Sequence, residues 1–572
     1  MKILSLHCDY IRFKVTKKAI REPEILEEEQ KESKTIKEVL VIFIAVEKVD
    51  ENNKESISWL IQNIEDIAKK VNTRNIVLYP YAHLSANLSS HEFAINILKE
   101  AEKKLIEKNY KVNRAPFGYY KEFELKCKGH PIAELSRRTD YGHEKTEVEN
   151  IEKEYDYKKL LNSISKSKLD TSKLKENDHR ILGQRMDLFS FHDVAPGMVF
   201  FHHNGMIIYN ELINYWREEH QKEGYLEIST PQILDKRLWQ ISGHWEKYRE
   251  NIFITEYESK KFAVKPMNCP GGILVFKSKI RSYNDLPIKM SELGTVHRKE
   301  LSGVLAGLFR LIKFTQDDAH IYCTEEQIEN EIMSIMNIVN RFYNLFRFEY
   351  SIELSTRPEN RIGSNELWDK TERILKEILV KSKNKFKVNE GDGAFYGPKI
   401  DFHIKDSLDR TWQCGTIQLD FALPERFELE YIDKNNKIKR PIMIHRTIYG
   451  SIERFIGILL EHTKGNLPTW LAPIQVRVIN FTDRNIKSCN KFIEKLRTNI
   501  SNIRIDSDFE SVPLQKKIRK AELMRIPYII VIGDKEEKEE SIAIRRRGSN
   551  KIENLSIEKF IKEIFEQIKE KK

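Results

Sequence analysis

The chain has 572 residues, which is too many for a single hydrophobic core and predicts three or four domains. Hydrophobic residues make up 40% of the sequence, enough to build packed interiors, and charged residues make up 32%. The formal net charge of +10 suits a polyanion such as nucleic acid, but a lysine-rich enzyme that binds no nucleic acid is an equally good interpretation.

The cysteines and the apolar runs indicate the cellular compartment and argue against a membrane protein. Six cysteines are scattered along the chain without a CxxC pair, which excludes a disulfide framework and favours a reducing compartment. The longest apolar runs, such as residues 39–46, have the length of a strand and are far short of a membrane span. Residues 1–10 lack the shape of a signal peptide. We therefore predict a cytoplasmic protein with no membrane association.

The first predicted elements alternate between strands and helices. Hydrophobic runs and apolar periodicity predict strands at residues 2–6, 38–46 and 75–79 and helices at about residues 55–70 and 90–108. This pattern indicates an α/β domain over residues 1–145.

The composition then changes twice along the chain. Residues 146–180 are rich in Lys, Glu, Asp and Ser and predict a charged linker, either helical or flexible. Residues 181–472 combine long helices, glycine-punctuated turns and strands, which predicts one large α+β domain built on a sheet. Residues 473–572 predict a small α/β module with strands at 476–480, 528–532 and 542–544.

A first arginine, Arg298, lies where a predicted strand ends. Residues 296–300 read VHRKE, residues 314–320 read FTQDDAH, and glycines between them suggest a loop that joins two strands. An arginine leaving a strand can hold a phosphate through two parallel hydrogen bonds, which lysine cannot reproduce. Taken alone, however, a His-Arg pair is more often solvated surface.

A second arginine lies on a predicted helix after residue 450. Ile448, Ile452, Phe455 and Leu459 recur on one side at helical spacing, and Gly450, Arg454 and Gly457 fall on the other. Glycine weakens a helix, so two glycines beside one arginine need a reason. They could let a flat ligand approach, or they could allow close packing of the helix against a neighbour.

Together these two stretches resemble motifs 2 and 3 of class II aminoacyl-tRNA synthetases. Residues 222–231 resemble motif 1, which in that class contributes to the dimer interface. Four further stretches resemble threonyl-tRNA synthetases specifically, and they are Lys265–Gly271, Phe314–Ile321, Gly391–Phe402 and Trp412–Phe421. The resemblance covers residues 178–572 and implies an antiparallel class II catalytic sheet.

The resemblance implies a zinc ion held by Cys269, His320 and His445, one ion per subunit. Cysteine and histidine are good zinc ligands, and three protein ligands leave a position open. The separations of 51 and 125 residues carry no local signature. Without the resemblance, a buried cysteine and two hydrogen-bonded histidines would be the better interpretation.

Zinc of this kind would select threonine over valine, which has the same shape but lacks the hydroxyl. Coordination of the amino group and hydroxyl of threonine cannot be completed by valine, and a site built for a polar group can discriminate by about 10⁴–10⁵. In the family, Asp318 corresponds to an acceptor for that hydroxyl. The residues implied to bind threonine are Met267, Gln316, Asp318, Tyr396 and Gln418.

The same residue-by-residue match implies an ATP site that uses Mg²⁺. Arg298 corresponds to a clamp on the α-phosphate, Arg454 to one on the γ-phosphate, and Lys399 to a support for the transferring phosphoryl group. The other implied ATP residues are Glu300, Phe314, Gln413 and Thr416. His244 corresponds to a histidine implicated in transfer to the tRNA ribose.

The sequence departs from the family pattern at two places near these residues. Gly272 stands where the family usually has a histidine after Cys-Pro-Gly. Leu311, Ile312 and Lys313 stand where many relatives have Val-Arg-Gly. Neither departure removes an implied ligand.

Serine poses a second selection problem, because it keeps the hydroxyl and lacks only a methyl group. A missing methyl group is worth about 1–3 kcal/mol, so a hydrolytic editing site is expected. Residues 1–145 resemble the archaeal editing domain, which is related to D-aminoacyl-tRNA deacylases, on the four stretches His7–Tyr10, Tyr79–Ser85, Ala115–Lys121 and Lys128–Leu135.

The implied editing residues surround the mischarged 3′ end of the tRNA, where they position and select rather than activate water. They are His83, Tyr120, Lys121 and Glu134. Without the resemblance, His83 would be read as a core residue and Lys121 as a solvated one.

Residues 473–572 resemble an anticodon-binding domain. Between residues 511 and 547 there are ten Lys or Arg against six Asp or Glu, and basic patches supply affinity for phosphates without choosing sequence. By match, Arg525, Glu536 and Arg545 would read anticodon bases. A solvated charged surface is the alternative for much of the acidic run at 536–540.

The resemblance therefore implies a threonine–tRNA ligase with zinc and Mg·ATP, acting on L-threonine and tRNA(Thr) as a homodimer through motif 1. Three alternatives are less consistent with the motifs. A prolyl or seryl enzyme disagrees with Cys269, Asp318 and His320, and a non-catalytic RNA-binding relative disagrees with the retained motif arginines. A hydrolase that acts only through its N-terminal domain disagrees with the intact ATP motifs.

Overall fold

The structure is a computed structural model that describes residues 1–20, 23–27, 30–53, 55–85, 87–139, 157–164, 174–549 and 551–572. The chain divides into two compact units, Met1–Tyr155 and Asp156–Lys572. Among the described residues, no helix is both long enough and apolar enough to cross a membrane. The predicted multidomain fold of α/β and α+β character is confirmed.

The first unit is a six-stranded sheet covered on one face by two helices. Its elements are β1 (Lys2–Lys18), β2 (Lys34–Ala45), α1 (Ser56–Lys70), β3 (Asn75–Pro80), α2 (His91–Glu107), β4 (Lys111–Arg114), β5 (Tyr119–Cys127) and β6 (Glu134–Arg138). The strand order is β4-β3-β2-β1-β5, and β6 pairs with the start of β1. All five predicted elements are present, and β1 is longer than its hydrophobic run because its second half pairs with β5.

Alternation along β2 divides this sheet into two buried faces. Leu40, Ile42 and Ile44 pack with the two helices, whereas Val41 and Phe43 belong to a second cluster on the other face. Side chains alternate across a strand, so a continuous apolar run is buried on both sides.

Most of the predicted linker at residues 146–180 lies outside the described residues. Within it the structure describes helix α3 (Tyr157–Ile164) and residues 174–180. The next helix, α4 (His179–Arg185), begins where the Asp178 carboxylate accepts a hydrogen bond from the Arg180 amide.

The second unit contains a large mixed region and a smaller C-terminal region. The helices of the large region are α5 (His203–Lys222), α6 (Lys236–Ser242), α7 (His244–Lys247), α8 (Cys269–Lys277), α9 (Ile328–Leu345), α10 (Asn365–Lys381), α11 (Ala422–Arg426) and α12 (Ile452–His462). Its strands are β7 (Phe189–Ser190), β8 (Phe200–Phe201), β9 (Leu226–Glu227), β10 (Ile233–Asp235), β11 (Ile254–Tyr257), β12 (Lys260–Val264), β13 (Ile288–His297), β14 (Lys313–Cys323), β15 (Glu349–Ser355), β16 (Phe386–Asn389), β17 (Lys399–Lys405), β18 (Thr411–Asp420), β19 (Tyr431–Ile432), β20 (Ile438–Lys439) and β21 (Ile442–Thr447).

An eight-stranded sheet organises the large region, with the order β16-β15-β17-β18-β21-β14-β13-β9. Its central strands are antiparallel, and only the pairs β15–β16 and β13–β9 are parallel. One face packs against α5, α9 and α12 to form the main hydrophobic core. The other face is therefore available to bear polar side chains.

The C-terminal region is a five-stranded sheet with the order β23-β22-β24-β25-β26. Its elements are β22 (Val476–Asn480), α13 (Ile486–Asn499), β23 (Ile505–Asp508), α14 (Leu514–Leu523), β24 (Tyr528–Ile532), α15 (Asp534–Glu539), β25 (Ser541–Arg546), β26 (Ile552–Ser556) and α16 (Ile557–Lys569). The three strands predicted in this region are present.

Candidate active site

A row of polar residues crosses the eight-stranded sheet. Lys399 on β17 pairs with Gln418 on β18, Gln418 pairs with His445 on β21, and His445 pairs with His320 on β14. Directly paired residues of antiparallel strands point to the same face. Four side chains from distant parts of the sequence therefore lie side by side on the face opposite the main core.

The neighbouring aspartates of β14 point to opposite faces. Asp318 lines a cavity on the polar face, and the buried Asp317 carboxylate accepts hydrogen bonds from the amides of Ile448, Tyr449 and Gly450 at 2.9, 3.0 and 2.9 Å. Burial raises the pKa of Asp317 to about 7, while Arg446 and these three amides favour its charged form. Asp317 thus fixes the turn that leads into α12.

A cavity of about 320 Å³, here named cavity A, opens on the polar face. All five residues predicted to bind threonine line it, together with Cys269 and His445. The Tyr396 hydroxyl donates a 2.5 Å hydrogen bond to the Gln418 side-chain carbonyl. Asn268 donates to one oxygen of Asp318 at 3.1 Å, which leaves the other oxygen as an acceptor.

Cys269, His320 and His445 form a compact group of metal-ligating side chains. One ligand atom from each lies within 4.8 Å of the other two, and all three residues are buried. Nε2 of His445 lies 2.9 Å from an Asp420 oxygen, which orients the ring and leaves Nδ1 available. Neither ring nitrogen of His320 has a hydrogen-bond partner among the described residues.

The donor set fits a zinc ion. A fully buried imidazole with two unpartnered nitrogens is costly, and a cation at the centre of the group would satisfy one of them. Burial lowers the pKa of His320 to about 4, so its imidazole is neutral and able to bind a metal at pH 7. Burial also raises the pKa of the Cys269 thiol, so metal binding would have to displace its proton.

Gly272 lies on α8 directly beside this group. A Cβ atom at this position would lie 3.3 Å from Nδ1 of His320 and 3.8 Å from the Tyr322 hydroxyl oxygen. A larger side chain would therefore press on the His320 ring, which glycine avoids.

A second cavity of about 610 Å³, cavity B, adjoins the first. The two share wall residues, which are Arg298, Gln316, Thr416, Gln418 and Thr447. All six residues predicted to bind ATP line cavity B, and they are Arg298, Glu300, Phe314, Gln413, Thr416 and Arg454.

Two arginines of cavity B have no carboxylate partner within 4.0 Å among the described residues. The Arg298 guanidinium stacks at 5.1 Å over Phe314 and donates to the Pro266 carbonyl at 3.2 Å. The Arg454 guanidinium lies 5.6 Å from the Trp412 ring, and its buried Nε has no acceptor in the described chain. Charged groups left unpaired at a cavity wall favour an anionic ligand.

Asp401 joins two of the predicted residues. Its carboxylate accepts from Lys399 Nζ at 3.0 Å, from Gln413 Nε2 at 2.6 Å and from Ser355 Oγ at 2.7 Å. Neither Asp401 nor Asp420 was singled out from the sequence, although both lie within motifs used for the resemblance. Their contacts with Lys399, Gln413 and His445 depend on the pairing of the strands, which the sequence alone does not show.

His244 lines neither cavity A nor cavity B. It is fully buried, with Nδ1 at 2.8 Å from Ser242 Oγ and Nε2 at 2.9 Å from the Met267 sulfur. Burial lowers its pKa to about 3, so the ring is neutral. The structure places it behind Met267, 4.0 Å from the Cys269 sulfur.

Gly450, Gly457 and Ile312, which departs from the family pattern, each have a structural role near the two cavities. A Cβ atom at Gly457 would lie 3.0 Å from Leu308, so this glycine allows the β13–β14 loop to pack on α12. Gly450 lies before the helix at φ +82°, and a Cβ atom there would lie 2.7 Å from the Cys414 carbonyl. The Ile312 carbonyl accepts the Arg298 amide at 2.8 Å, which fixes the backbone of Arg298.

The first unit has its own cavity, cavity C, of about 470 Å³. His83, Tyr120 and Lys121 line it, whereas Glu134 lies on β6 opposite Leu6 and does not. The Lys121 ammonium donates to the carbonyls of Pro116 and Tyr119 at 2.8 and 3.0 Å. Burial lowers the pKa of Lys121 to about 8.

The three residues predicted to read the anticodon do not lie together: two are near the start of β24 and one is beyond its end. Arg525 precedes β24, and Arg545 on β25 pairs with Ile529 near the start of β24. Glu536 lies on α15 beyond the other end of β24, where its carboxylate accepts the Gly533 amide at 3.0 Å.

An antiparallel sheet with two adjoining cavities, one beside a Cys-His-His group and one lined by two arginines without a carboxylate partner in the described chain, defines a class II aminoacyl-tRNA synthetase core. Residues 253–463 match the family model of the tRNA synthetase class II core domain (G, H, P, S and T), and residues 475–567 match an anticodon binding domain. Residues 1–139 match the Archaea-specific editing domain of threonyl-tRNA synthetase. The chain belongs to the threonyl-tRNA synthetase family.

Individual relatives agree with this assignment. A threonine–tRNA ligase of Clostridium botulinum (strain 657 / Type Ba4) is 54% identical over 397 residues, 69% of this chain and 62% of that protein. One from Caldanaerobacter subterraneus subsp. tengcongensis is 53% identical over 394 residues, 69% of this chain and 61% of that protein. This chain thus spans less than two thirds of the length of these relatives.

A solved structure also matches. The RNA binding domain of threonyl-tRNA synthetase from Cryptosporidium parvum Iowa II is 40% identical, with a TM-score of 0.66. The match covers 68% of this chain and 98% of that structure.

Proposed function

We propose that this chain is a threonine–tRNA ligase that activates threonine with ATP and transfers it to the 3′ end of tRNA(Thr). The observation that carries the proposal is the junction of cavities A and B at Arg298. An amino acid in cavity A and a nucleotide in cavity B would meet there, so the carboxylate could attack the α-phosphorus of ATP in line and displace pyrophosphate, forming the aminoacyl-adenylate.

Threonine selection is assigned to cavity A. Cys269, His320 and His445 would hold zinc, which when bound would act as a Lewis acid for the amino group and hydroxyl of threonine. The free Asp318 oxygen would accept the hydroxyl hydrogen bond. Tyr396 and Gln418, locked to each other, would fix the position of the amino acid with Met267 and Gln316.

Nucleotide binding is assigned to cavity B, with Mg²⁺ accompanying ATP. Arg298 would hold the α-phosphate and Arg454 the γ-phosphate, because both guanidiniums lack a carboxylate partner in the described chain. Phe314 and Glu300 would contact adenine. Lys399, positioned by Asp401, would stabilise charge on the transferring phosphoryl group, and Gln413 and Thr416 complete the wall.

The remaining assignments concern transfer and tRNA. His244 is proposed to assist transfer to the ribose through its contact with Met267, because it is buried behind the cavity wall. Arg525, Glu536 and Arg545 are proposed to read the anticodon. The proposed domains are 1–145 for editing, 181–472 for catalysis and 473–572 for the anticodon, and the proposed location is the cytoplasm.

A homodimer is proposed through the motif 1 segment, residues 222–231. This segment contains β9, which is one of the two edge strands of the eight-stranded sheet. Leu226 on this strand is 60% exposed and Ile233 nearby is 54% exposed, as expected for apolar residues that a partner covers.

The proposed activity predicts that threonine, and serine more weakly, will support ATP–pyrophosphate exchange by the purified chain. Valine and proline should support no exchange above background, because neither has the side-chain hydroxyl that the proposed zinc site would read. The measurement is radiolabel exchange into ATP with each amino acid in turn. Exchange with valine or proline but not with threonine would refute the assignment.

Editing of Ser-tRNA(Thr) is assigned to cavity C. Serine lacks only the methyl group, and a zinc site that reads the amino group and hydroxyl cannot exclude it strongly. Lys121 lies in this cavity with its ammonium 5.1 Å from the Tyr79 ring, beside His83 and Tyr120. These groups would hold the polar 3′ end of the tRNA, and Glu134, which lies outside the cavity lining, is proposed to contribute to its selection.

Lys121→Met should lower kcat/KM for Ser-tRNA(Thr) hydrolysis about tenfold at pH 7. The pKa of Lys121 is about 8, so its charge is present at pH 7 and lost as the pH rises through 8. The ratio of wild-type to variant rates should therefore fall toward one above pH 8. The assay is release of radiolabelled serine, corrected for hydrolysis without enzyme.

Lys126→Met is the matched control, because Lys126 lies on the same strand with its side chain 69% exposed. It should leave the editing rate and its pH dependence unchanged. A wild-type to Lys121→Met ratio that stays constant between pH 7 and 9 would show that the charge of Lys121 is not used.

A further inference from the structure

A buried histidine outside the two cavities holds part of the wall of cavity B. His179, the first residue of α4, is 1% exposed. Its Nδ1 lies 2.6 Å from a Glu461 oxygen, and its Nε2 accepts a 3.0 Å hydrogen bond from the Leu308 amide. A carboxylate at one nitrogen and an N–H donor at the other define the neutral tautomer with the proton on Nδ1.

The segment that His179 holds is Gly307–Phe309, in the loop between β13 and β14. Leu308 and Phe309 both line cavity B. Gly307 adopts φ +55°, and a Cβ atom there would lie 2.3 Å from Nε2 of His179, so only glycine allows the imidazole this close. The imidazole also contacts the Phe309 ring, with ring centres 4.2 Å apart.

The contacts continue from Phe309 to Arg454, the cation assigned to phosphate. The Phe309 ring lies 4.4 Å from the Trp412 ring, and the Arg454 guanidinium lies over Trp412. Glu461, which orients His179, is on the same helix as Arg454, seven residues later, and its second oxygen accepts from Arg410 at 2.6 Å. The loop, the aromatic pair and α12 therefore share one support.

Asp178, His179 and Glu461 also have the composition of a metal site. That use is inconsistent with their bonding, since both nitrogens of His179 are occupied and Arg180 and Arg410 neutralise the two carboxylates. The cluster is a hydrogen-bond network in which both carboxylates and both ring nitrogens have partners. It contacts the β13–β14 loop through Nε2 of His179.

We propose that His179 is a positioning residue for the nucleotide: its imidazole, oriented by Glu461 at Nδ1, accepts the Leu308 amide at Nε2 and fixes Gly307–Phe309 as a rigid wall of cavity B. The proposal rests on the proposed function insofar as the nucleotide is ATP. Releasing the loop should weaken ATP binding and leave cavity A, and hence threonine binding, unchanged.

Two amide variants separate the two hydrogen bonds of the imidazole. His179→Gln can place a carbonyl oxygen where Nε2 stands and keep the bond to Leu308, whereas His179→Asn can keep the bond to Glu461 but cannot reach Leu308. We expect the KM for ATP to rise about fivefold or more in His179→Asn and to stay near the wild-type value in His179→Gln. The kcat and the KM for threonine should change less than about twofold in both.

His202→Ala is the matched control, because His202 has an equally short 2.6 Å contact to a carboxylate, Asp187, but lines no cavity described here. Melting temperatures are measured for all variants. Wild-type KM for ATP in His179→Asn would overturn the proposal. A rise in both KM values that follows the loss of melting temperature in either amide variant would also overturn it, because that is a purely structural effect.

Equilibrium measurements keep this proposal separate from the ligase assignment. Calorimetric titration with Mg·ATP alone should show the same order of affinities even if threonine-dependent exchange fails. Hydrogen exchange of the Leu308 amide in the wild-type protein should be strongly slowed relative to the preceding loop. A rapidly exchanging Leu308 amide, or no ATP binding by the wild-type chain, would refute the role given to His179.

Discussion

Cys269→Ala is expected to remove bound zinc and to lower threonine-dependent ATP–pyrophosphate exchange by at least about 10²–10³-fold. The sulfur is one of three donors in a closed group, and two histidines alone would bind zinc far more weakly. Without the metal, the hydroxyl of threonine loses the contact that distinguishes it from valine. The measurements are zinc per chain by elemental analysis and exchange rates with threonine and valine.

Cys323→Ala provides a matched control, because Cys323 is also a fully buried thiol and lies on β14 three residues after His320. It should keep one zinc per chain and near-normal exchange, with only a loss of stability of about 1 kcal/mol from the cavity it leaves. Full zinc content and full activity in Cys269→Ala would rule out the proposed metal site.

Arg454→Lys is expected to lower exchange about 10²-fold or more, nearly as much as Arg454→Ala. Lysine keeps the charge but cannot donate two parallel hydrogen bonds to a phosphate, and its flexible stem does not stack on Trp412 as the guanidinium does. The KM for ATP should rise, while zinc content and the KM for threonine should not change. Steady-state exchange at varied ATP provides these values.

The control for this change is Arg440→Lys, an exposed arginine whose nearest carboxylate, on Glu425, is 3.8 Å away. It should behave as the wild type. If Arg454→Lys retained wild-type exchange and ATP affinity, a single point charge would suffice at this position, and the assignment of a paired phosphate contact to Arg454 would be wrong.

The sequence carried enough local signal to predict the fold class and most strands. The runs at 476–480 and 528–532 correspond to β22 and β24, because a short apolar run bounded by polar residues is typical of a buried strand. The glycines between residues 300 and 314 also predict a loop that joins two strands, and the structure has such a loop between β13 and β14.

The candidate site depended on the family resemblance rather than on spacing. Cys269, His320 and His445 are separated by 51 and 125 residues, and no periodicity connects them. They meet because His320 and His445 are register partners on β14 and β21, while Cys269 begins the helix beside them. Pairing of that kind is a tertiary property that one sequence does not encode locally.

The supporting residues could not be predicted for the same reason. Asp420, Asp401 and His179 look like ordinary polar residues, and only burial and their partners show what they hold. The two glycines beside Arg454 left two interpretations open, and the structure divides them: Gly457 allows Leu308 to pack closely, whereas Gly450 lines cavity B.

The position of β21 in the sheet has a consequence for synthesis of the chain. It is the last of the eight strands to be made, yet it lies between β18 and β14 at the centre. A nascent chain that has not yet exposed Ile442–Thr447 outside the ribosome holds two separate half-sheets with open edges, the arrangement most prone to mispairing. Translation must therefore pass this strand before the three proposed zinc ligands can come together and before the two halves of the proposed site can join.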